Sequence, residues 1–162
     1  MPSSDAALDD LDARIITLFS ERPQVGVLGA SRELGVARGT VQARLDRLQR
    51  RGVITGFAPH LEPAAMGFPV TAFCTLEIRQ DTGHEPVVEH LARIPEVLSA
   101  YTITGQGDLM VRVVARDNTD LQRVIDRVVE SGHVSRASTV IALATQIPHR
   151  TLPLVHAATA GA

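Results

Sequence analysis

The feature that most constrains the fold of this 162-residue chain is a change in the spacing of its apolar residues near residue 70. Before that point, apolar residues recur every three or four positions, which is typical of amphipathic helices. After it, runs in which every second residue is apolar alternate with further helical runs. The sequence therefore predicts a helical unit followed by an α+β unit, and its length suffices for both cores.

Three helices are predicted in the first part of the chain, over residues 8–21, 27–34 and 38–51. The first opens with several aspartates, which suit the positive end of a helix dipole. Gly35 and Gly52 follow the second and third helices and break the chain there. The residues expected to face the core are Leu8, Leu11, Ile15, Leu18, Phe19, Leu28, Leu34, Val41, Leu45 and Leu48.

Positive charge is concentrated around the third helix. Residues 28–56 contain six arginines and two acids, a net charge of +4, whereas the whole chain carries −2. All sixteen basic residues are arginine, which we interpret as a bias of the whole chain. A local basic cluster indicates an anionic partner, although a solvated helix face would look the same. Three short-linked helices, the last of them basic, predict a helix-turn-helix module over residues 1–57, with residues 52–57 as a wing strand.

The second part of the chain predicts the order β-α-β-β-α-β, a ferredoxin-like antiparallel sheet with both helices on one face. A proline-containing linker over residues 58–69 leads into it, and the domain is expected to span residues 70–150. A GQGD turn joins its middle strands as a hairpin. The tail, residues 151–162, shows no clear pattern and is expected to be loose. Strands are predicted over 70–79, 97–104, 109–116 and 134–147, and helices over 85–94 and 119–131.

Several function classes find no support in the sequence. A single cysteine, Cys74, excludes an intramolecular disulfide and fits a reducing compartment. The start lacks a signal-peptide pattern, and no apolar run could span a membrane, so a cytoplasmic protein is expected. The six histidines are scattered without metal-ligand spacing, and no catalytic triad, paired carboxylates or P-loop is apparent. We therefore expect no catalytic residues, no metal and no cofactor.

Taken together, the two halves resemble the Lrp/AsnC, or feast/famine, family of transcriptional regulators. The resemblance extends from about residue 8 to 148 and follows the order of the family. It implies regulation through DNA binding, dimers that pair through the C-terminal sheets and often assemble into octamers, and small effectors, commonly amino acids. The segments that carry it are LDDLDARIITLF, ELGVARGTVQARLDRLQRRGVITGF, IPEVLSAYTITGQGDLMVRVV and VSRASTVIAL.

The candidate DNA-contacting residues follow from the geometry of the third helix. Its apolar stripe must face the core, so the opposite, leading face is free to enter the major groove. An arginine there can pair with guanine and a glutamine with adenine, while small residues allow close approach. Arg38, Gly39, Thr40, Gln42 and Ala43 form this face, and Arg44, Arg47, Arg50 and Arg51 are expected at phosphates. Arg44 aligns with a family arginine, but it could equally be structural. Ala37, where the family often has serine, cannot supply an N-cap oxygen.

The resemblance also implies an effector pocket near the hairpin turn, completed by a neighbouring subunit. The matching residues are Thr104, Gly105, Gln106, Gly107 and Asp108, together with Thr139 on the last strand. Free glycine N–H groups could hold a carboxylate, and Asp108 could bind an ammonium group. The family frequently has an acid in place of Gln106 and an aromatic residue in place of Gly107. A glycine-rich hairpin without a ligand is the alternative interpretation.

Two rival functions remain open at the level of sequence. One is an architectural protein that compacts DNA through the same helix, with little sequence selectivity and no effector. The other is an enzyme built on the ferredoxin-like half, for which the sequence offers no nucleophile or base. The favoured hypothesis is a sequence-specific regulator that binds double-stranded DNA and responds to an amino acid or related metabolite.

Overall fold

The computed structural model describes residues 7–79 and 83–160 and divides the chain into two compact units. One unit combines the chain up to Pro59 with the segment from Ile147 onward, and the other spans His60–Gln146. The outermost parts of the predicted first and last segments, residues 1–6 and 161–162, lie outside the described residues. Within the described chain, no helix is long and apolar enough to cross a membrane.

Three helices form the first unit close to their predicted positions: α1 (Asp10–Glu21), α2 (Gly26–Leu34) and α3 (Arg38–Arg50). The stripe of Ile15 and Leu18 on α1 packs with the stripe of α3, as predicted. The prediction for Leu28 on α2 is wrong, since this side chain is 50% exposed. The inward face of α2 instead carries Val27, Ala30 and Leu34, which are spaced three and four residues apart. Val27, one position before Leu28, takes the inward place that was predicted for Leu28.

The predicted wing strand at residues 52–57 is not formed. The chain leaves α3 in a tight turn in which the N–H groups of Val53 and Ile54 both donate to the Leu48 carbonyl. Because these two N–H groups are hydrogen-bonded to the last turn of α3, they are not available to pair with a neighbouring strand. Ile54 packs against the helical core, and the ring of Phe57 lies against Phe19, with centroids 5.9 Å apart.

The second unit is built on a four-stranded antiparallel sheet: β1 (Val70–Ile78), β2 (Val97–Thr102), β3 (Leu109–Ala115) and β4 (Val134–Ala142). Their spatial order is β2-β3-β1-β4, which confirms the ferredoxin-like arrangement. Strand β4 stops five residues short of its predicted end at residue 147. Ala142 pairs with Thr71, one residue from the start of β1, so β4 has no partner beyond this point.

Two helices, α4 (Glu85–Leu91) and α5 (Asn118–Val129), cover one face of this sheet. The alternation of β1 places Ala72, Cys74 and Leu76 in the core between sheet and helices. Burial raises the pKa of the Cys74 thiol, and a hydrogen bond from Thr139 opposes that effect. Cys74 is therefore a core thiol. The other side of the sheet, which we call the open face, carries Thr71, Phe73, Thr75 and Glu77 of β1 with their partners on β3 and β4.

The tail was expected to be loose, but it contains a sixth helix, α6 (Leu152–Thr159), which packs against α1. Pro153 lies in its first turn, where a missing N–H costs nothing. Leu152, Val155 and Thr159 are its partly buried residues and recur at helical spacing. Three apolar or hydroxyl-bearing positions over two turns gave too weak a pattern to predict the helix.

Candidate nucleic-acid interface and effector cleft

Helix α3 buries one stripe and exposes much of the rest of its surface. Val41, Leu45 and Leu48 are at most 4% exposed. The five residues of the expected leading face, Arg38, Gly39, Thr40, Gln42 and Ala43, are all exposed. The division of α3 into a core stripe and a free surface therefore agrees with the sequence. Whether that surface contacts DNA stays a prediction.

The turn before α3 sets the start of this surface. Gly35 ends α2 with a φ of 69°, a left-handed conformation that glycine adopts without a Cβ clash. Ala37 is the N-cap residue of α3, in extended conformation with a ψ of 144°, and supplies no side-chain hydrogen bond. Its carbonyl accepts from the N–H groups of Thr40 and Val41. The first N–H groups of α3 thus point outward without a side-chain cap, at the end of the helix that carries Arg38.

The arginines in the middle of α3 point toward α1. The Arg44 guanidinium donates to Asp9 and, over 3.0 Å, to Oδ1 of Asp12. The Arg47 guanidinium pairs with Oδ2 of the same Asp12, whose side chain is fully buried. Burial alone would raise the pKa of Asp9, but hydrogen bonds from Arg44 and the Asp12 amide hold it below its usual value. Sequence reasoning missed these pairs because they join residues more than thirty positions apart.

The remaining polar groups of α3 differ in how they are held. Gln42 donates from Nε2 to Oδ1 of Asp46 over 2.8 Å, one helical turn away. Within residues 7–79 and 83–160, the side chains of Arg38 and Arg50 make no hydrogen bond or ion pair. Arg51 caps the C-terminus of α3 through its backbone N–H, which donates to the Arg47 carbonyl. Arg38 and Arg50 are therefore the α3 arginines whose charge is most available to an anion.

The expected effector residues gather at the turn between β2 and β3, except for one. Two open clefts flank this turn, of about 450 and 570 Å³, and both touch Glu77, Gly105 and Gly107. Thr104 is exposed but lines neither cleft. Thr139 lies elsewhere, because it pairs with Cys74 and its hydroxyl donates to the Cys74 sulfur on the helix-covered side. The lining residues that sequence reasoning missed are Thr75, Glu77, Ile78, Arg79, Ser135, Arg136 and Ser138.

The turn is tied closely to β1. The Asp108 N–H donates to the Leu76 carbonyl over 2.8 Å, and its carboxylate accepts the Ile78 N–H over 2.6 Å. Gly107 has a φ of 89°, and a Cβ placed there would lie 2.4 Å from Cγ2 of Thr75. One oxygen of Asp108 is thus committed to the backbone. Gly107 is required by a left-handed conformation and by close contact with β1, so an aromatic side chain would not fit this backbone.

Charge in the clefts comes from both signs. Arg136 and Glu77 face each other across β4 and β1, with Nη1 and Oε1 3.9 Å apart, and their side chains are 74% and 48% exposed. Gly105, Gln106 and Gly107 of the turn line the same cleft. Such an arrangement can bind a carboxylate and an ammonium group together. Among the described residues, no group of three His, Cys, Asp or Glu side chains is placed to hold a metal ion.

These features are those of a helix-turn-helix module followed along the chain by an α+β domain with clefts that could hold a ligand. Residues 8–55 match the family model for winged helix-turn-helix DNA binding, and residues 71–152 match that of the Lrp/AsnC ligand-binding domain. The chain belongs to the Lrp/AsnC family and is a DNA-binding transcriptional regulator of that type. Members of this family are transcription regulators, not enzymes.

Relatives support the assignment along the chain. An uncharacterized HTH-type transcriptional regulator of Pyrococcus abyssi is 35% identical over 123 residues, 76% of this chain and 77% of that protein. An HTH-type regulator of Pyrococcus furiosus is 29% identical over 147 residues, 91% of this chain and 97% of that protein. The structure of Escherichia coli AsnC superposes with a TM-score of 0.82 at 23% identity, covering 90% of this chain and 99% of that one. A transcriptional regulator from Neisseria meningitidis, solved with L-methionine, gives a TM-score of 0.80 at 25% identity, covering 93% and 99%.

Proposed function

We propose that this regulator binds specific DNA sequences by placing the exposed face of α3 in the major groove. Arg38 and Gln42 would pair with guanine and adenine, while Gly39 and Ala43 let the helix approach the bases. Thr40 lies among them, and Arg50 and Arg51 would hold phosphates at the other end of α3. The observation that carries the proposal is the Arg38 side chain, exposed and without a partner in the described chain, at the start of a helix whose other side is buried.

The test starts from in vitro selection of a preferred duplex out of a random pool. Fluorescence anisotropy then compares the selected duplex with a shuffled duplex of the same composition. We expect Arg38→Ala to lose about tenfold in affinity for the selected duplex, since a bidentate base contact contributes ~1–3 kcal/mol. Gln42→Ala should behave similarly, while Gln49→Ala, an exposed glutamine in the last turn of α3, is the matched control. Unchanged binding by the Arg38→Ala, Gln42→Ala double variant would refute this placement of the reading face.

Footprinting tests the architectural alternative. Uniform coating of the DNA would favour that alternative.

We further propose that an amino acid or a related metabolite binds at the clefts beside the β2–β3 turn. Glu77 and Arg136 supply opposite charges, and the N–H groups of Gly105 and Gly107 supply donors for a carboxylate. Gln106 stands where the family frequently has an acid, and the carboxylate of Asp108 already accepts a backbone N–H. Glu77 is therefore the acidic cleft residue whose carboxylate makes no hydrogen bond to the backbone of the described chain. The structural relative from Neisseria meningitidis was solved with L-methionine, which makes methionine the first ligand to try.

Thermal shift in the presence of each amino acid tests the effector, because a ligand of the folded state raises the melting temperature by mass action. We expect at least one amino acid to raise the melting temperature of the wild type and to lose this effect with Arg136→Ala. Arg93→Ala removes an exposed arginine outside the clefts and serves as control. A shift that survives Arg136→Ala would place the ligand elsewhere, and no shift with any amino acid would refute this effector class.

A homodimer that pairs through the open face of the sheet, with dimers assembling into octamers, completes the proposal. That face carries exposed Tyr101, Met110 and Val140. It also holds Arg112, whose Nε is buried without a hydrogen-bond partner among the described residues. Val140→Glu should shift sedimentation toward a monomer, whereas Val88→Glu, an exposed valine on α4, should not. An unchanged sedimentation coefficient for Val140→Glu would refute this interface.

A further inference from the structure

Asp12 is a buried carboxylate at the N-terminus of α1 that serves two elements at once. Its Oδ2 accepts the Asp9 N–H over 3.3 Å, while its own N–H donates to the Asp9 side chain over 2.8 Å, a reciprocal cap on α1. Its two oxygens also receive one arginine each, Arg44 and Arg47 of α3. A carboxylate that is fully buried must be paired, so this contact is tightly constrained.

The pairing fixes the rotation of α3 about its own axis. At about 100° per residue, Arg44 and Arg47 lie on one flank of the buried stripe of α3, and Arg38 and Gln42 lie on the other. Packing of aliphatic side chains tolerates small rotations, whereas two guanidinium groups on one carboxylate require a defined geometry. Holding one flank on α1 therefore determines where the opposite flank points.

The same pairing limits what these two arginines can do elsewhere. Their side chains are 27% and 34% exposed, and Arg44 pairs with Asp9 as well as with Asp12. A phosphate would therefore have to compete with a buried carboxylate, Asp12, that would be costly to leave unpaired. Arg38 and Arg50 have no such acids in the described chain.

We propose that Asp12 is a positioning residue of the DNA interface, and that Arg44 and Arg47 fasten α3 to α1 instead of contacting phosphates. This inference rests on the proposed reading face of α3. It predicts that Asp12, which does not touch DNA, controls the preference for the selected sequence over other DNA. It also predicts that removal of Arg44 or Arg47 costs selectivity without removing a phosphate contact.

The salt dependence of binding separates the two roles. Each phosphate contact contributes about 0.9 to the slope of log K against log salt concentration. The full chain is measured by anisotropy on the selected and shuffled duplexes over a NaCl series, at a temperature where circular dichroism shows every variant folded. The variants are Asp12→Asn, Arg44→Gln, Arg47→Gln and the pair Asp12→Asn, Arg44→Gln, with Arg50→Gln as the exposed control.

We expect Asp12→Asn and Arg44→Gln each to lower the ratio of specific to shuffled affinity by about tenfold, within the range of couplings between contacting side chains. Their salt slopes should equal that of the wild type. The double variant should lose less than the sum of the two single losses, because Asp12 and Arg44 act through a shared contact. Arg50→Gln should instead reduce the slope by about 0.9 and leave the ratio unchanged.

A slope reduced by about 0.9 in Arg44→Gln or Arg47→Gln would overturn the proposal, because those side chains would then bind phosphates. An unchanged ratio in Asp12→Asn, with the wild-type preference intact, would overturn the role of Asp12 alone. If Asp12→Asn does not fold, Arg44→Gln decides by itself, since it leaves Asp12 paired with Arg47. A wild type that binds both duplexes equally would refute sequence-specific binding and this role together.

Discussion

Replacement of Gly107 by alanine should destabilise the α+β unit more than the same change at Gly105, two residues away. Both glycines have positive φ, 106° at Gly105 and 89° at Gly107, so an alanine costs about 1–2 kcal/mol of backbone strain at either. Only Gly107 lacks room, because its added Cβ would lie 2.4 Å from Cγ2 of Thr75 and 3.1 Å from the Leu76 carbonyl oxygen. Thr75 can rotate, but the Leu76 carbonyl belongs to a strand and cannot move alone.

The extra cost at Gly107 follows from that crowding. Forced overpacking typically costs ~1–3 kcal/mol, so we expect Gly107→Ala to lose ~2–5 kcal/mol in total and Gly105→Ala ~1–2 kcal/mol. The change would also press on the two hydrogen bonds from Asp108 and Ile78 that tie the turn to β1. A weaker tie should loosen both clefts beside the turn.

Urea denaturation followed by circular dichroism measures the difference, with the unfolding slope checked for two-state behaviour. Thr75→Ser removes the crowding methyl group and should recover part of the loss in the Gly107→Ala background, but not in Gly105→Ala. Equal losses for the two alanine variants, within about 0.5 kcal/mol, would refute the reasoning from close contact. They would show that φ alone requires glycine at both positions.

Three further changes test other parts of the structure. Ala37→Ser supplies the missing N-cap oxygen of α3 and should raise the free energy of unfolding by about 1 kcal/mol, measured by urea denaturation; no gain would mean that the α3 N-terminus is satisfied otherwise. A chain ending at Gln146 loses α6 and should melt at a lower temperature, whereas an unchanged melting temperature would show that α6 adds nothing to the first unit. Burial alone would raise the pKa of Glu96, but pairing with Arg123 and Arg127 holds it below its usual value. The stability that this pairing adds is present at neutral pH and is lost as the pH falls below about 4.5, so the melting temperature of Glu96→Gln should fall less over that range than that of the wild type.

The local pattern of the sequence was sufficient for the elements that bury a stripe of their own. The spacing of Val41, Leu45 and Leu48 predicts both α3 and its exposed face, because the core must take the apolar side of a helix. The alternation along β1 predicts its buried face for the same reason. Leu28 shows the limit of this reasoning, since α2 offers Val27 and Leu28 next to each other and only packing against α1 and α3 decides between them.

The two candidate sites differ in how far sequence reasoning could reach, and the difference is physical. The reading face of α3 belongs to one helix, so its members follow from spacing within thirteen residues. The clefts join the β2–β3 turn to β1 and β4, so their lining depends on strand register, which spacing does not provide. The register opposes Thr139 to Cys74 and Ser138 to Thr75, which places the threonine on the covered side and the serine in the cleft. A shift of one residue in that pairing would exchange them. The role of Thr139 in an effector site therefore has to be tested by substitution, while the cleft residues Ser138 and Arg136 are the stronger candidates on β4.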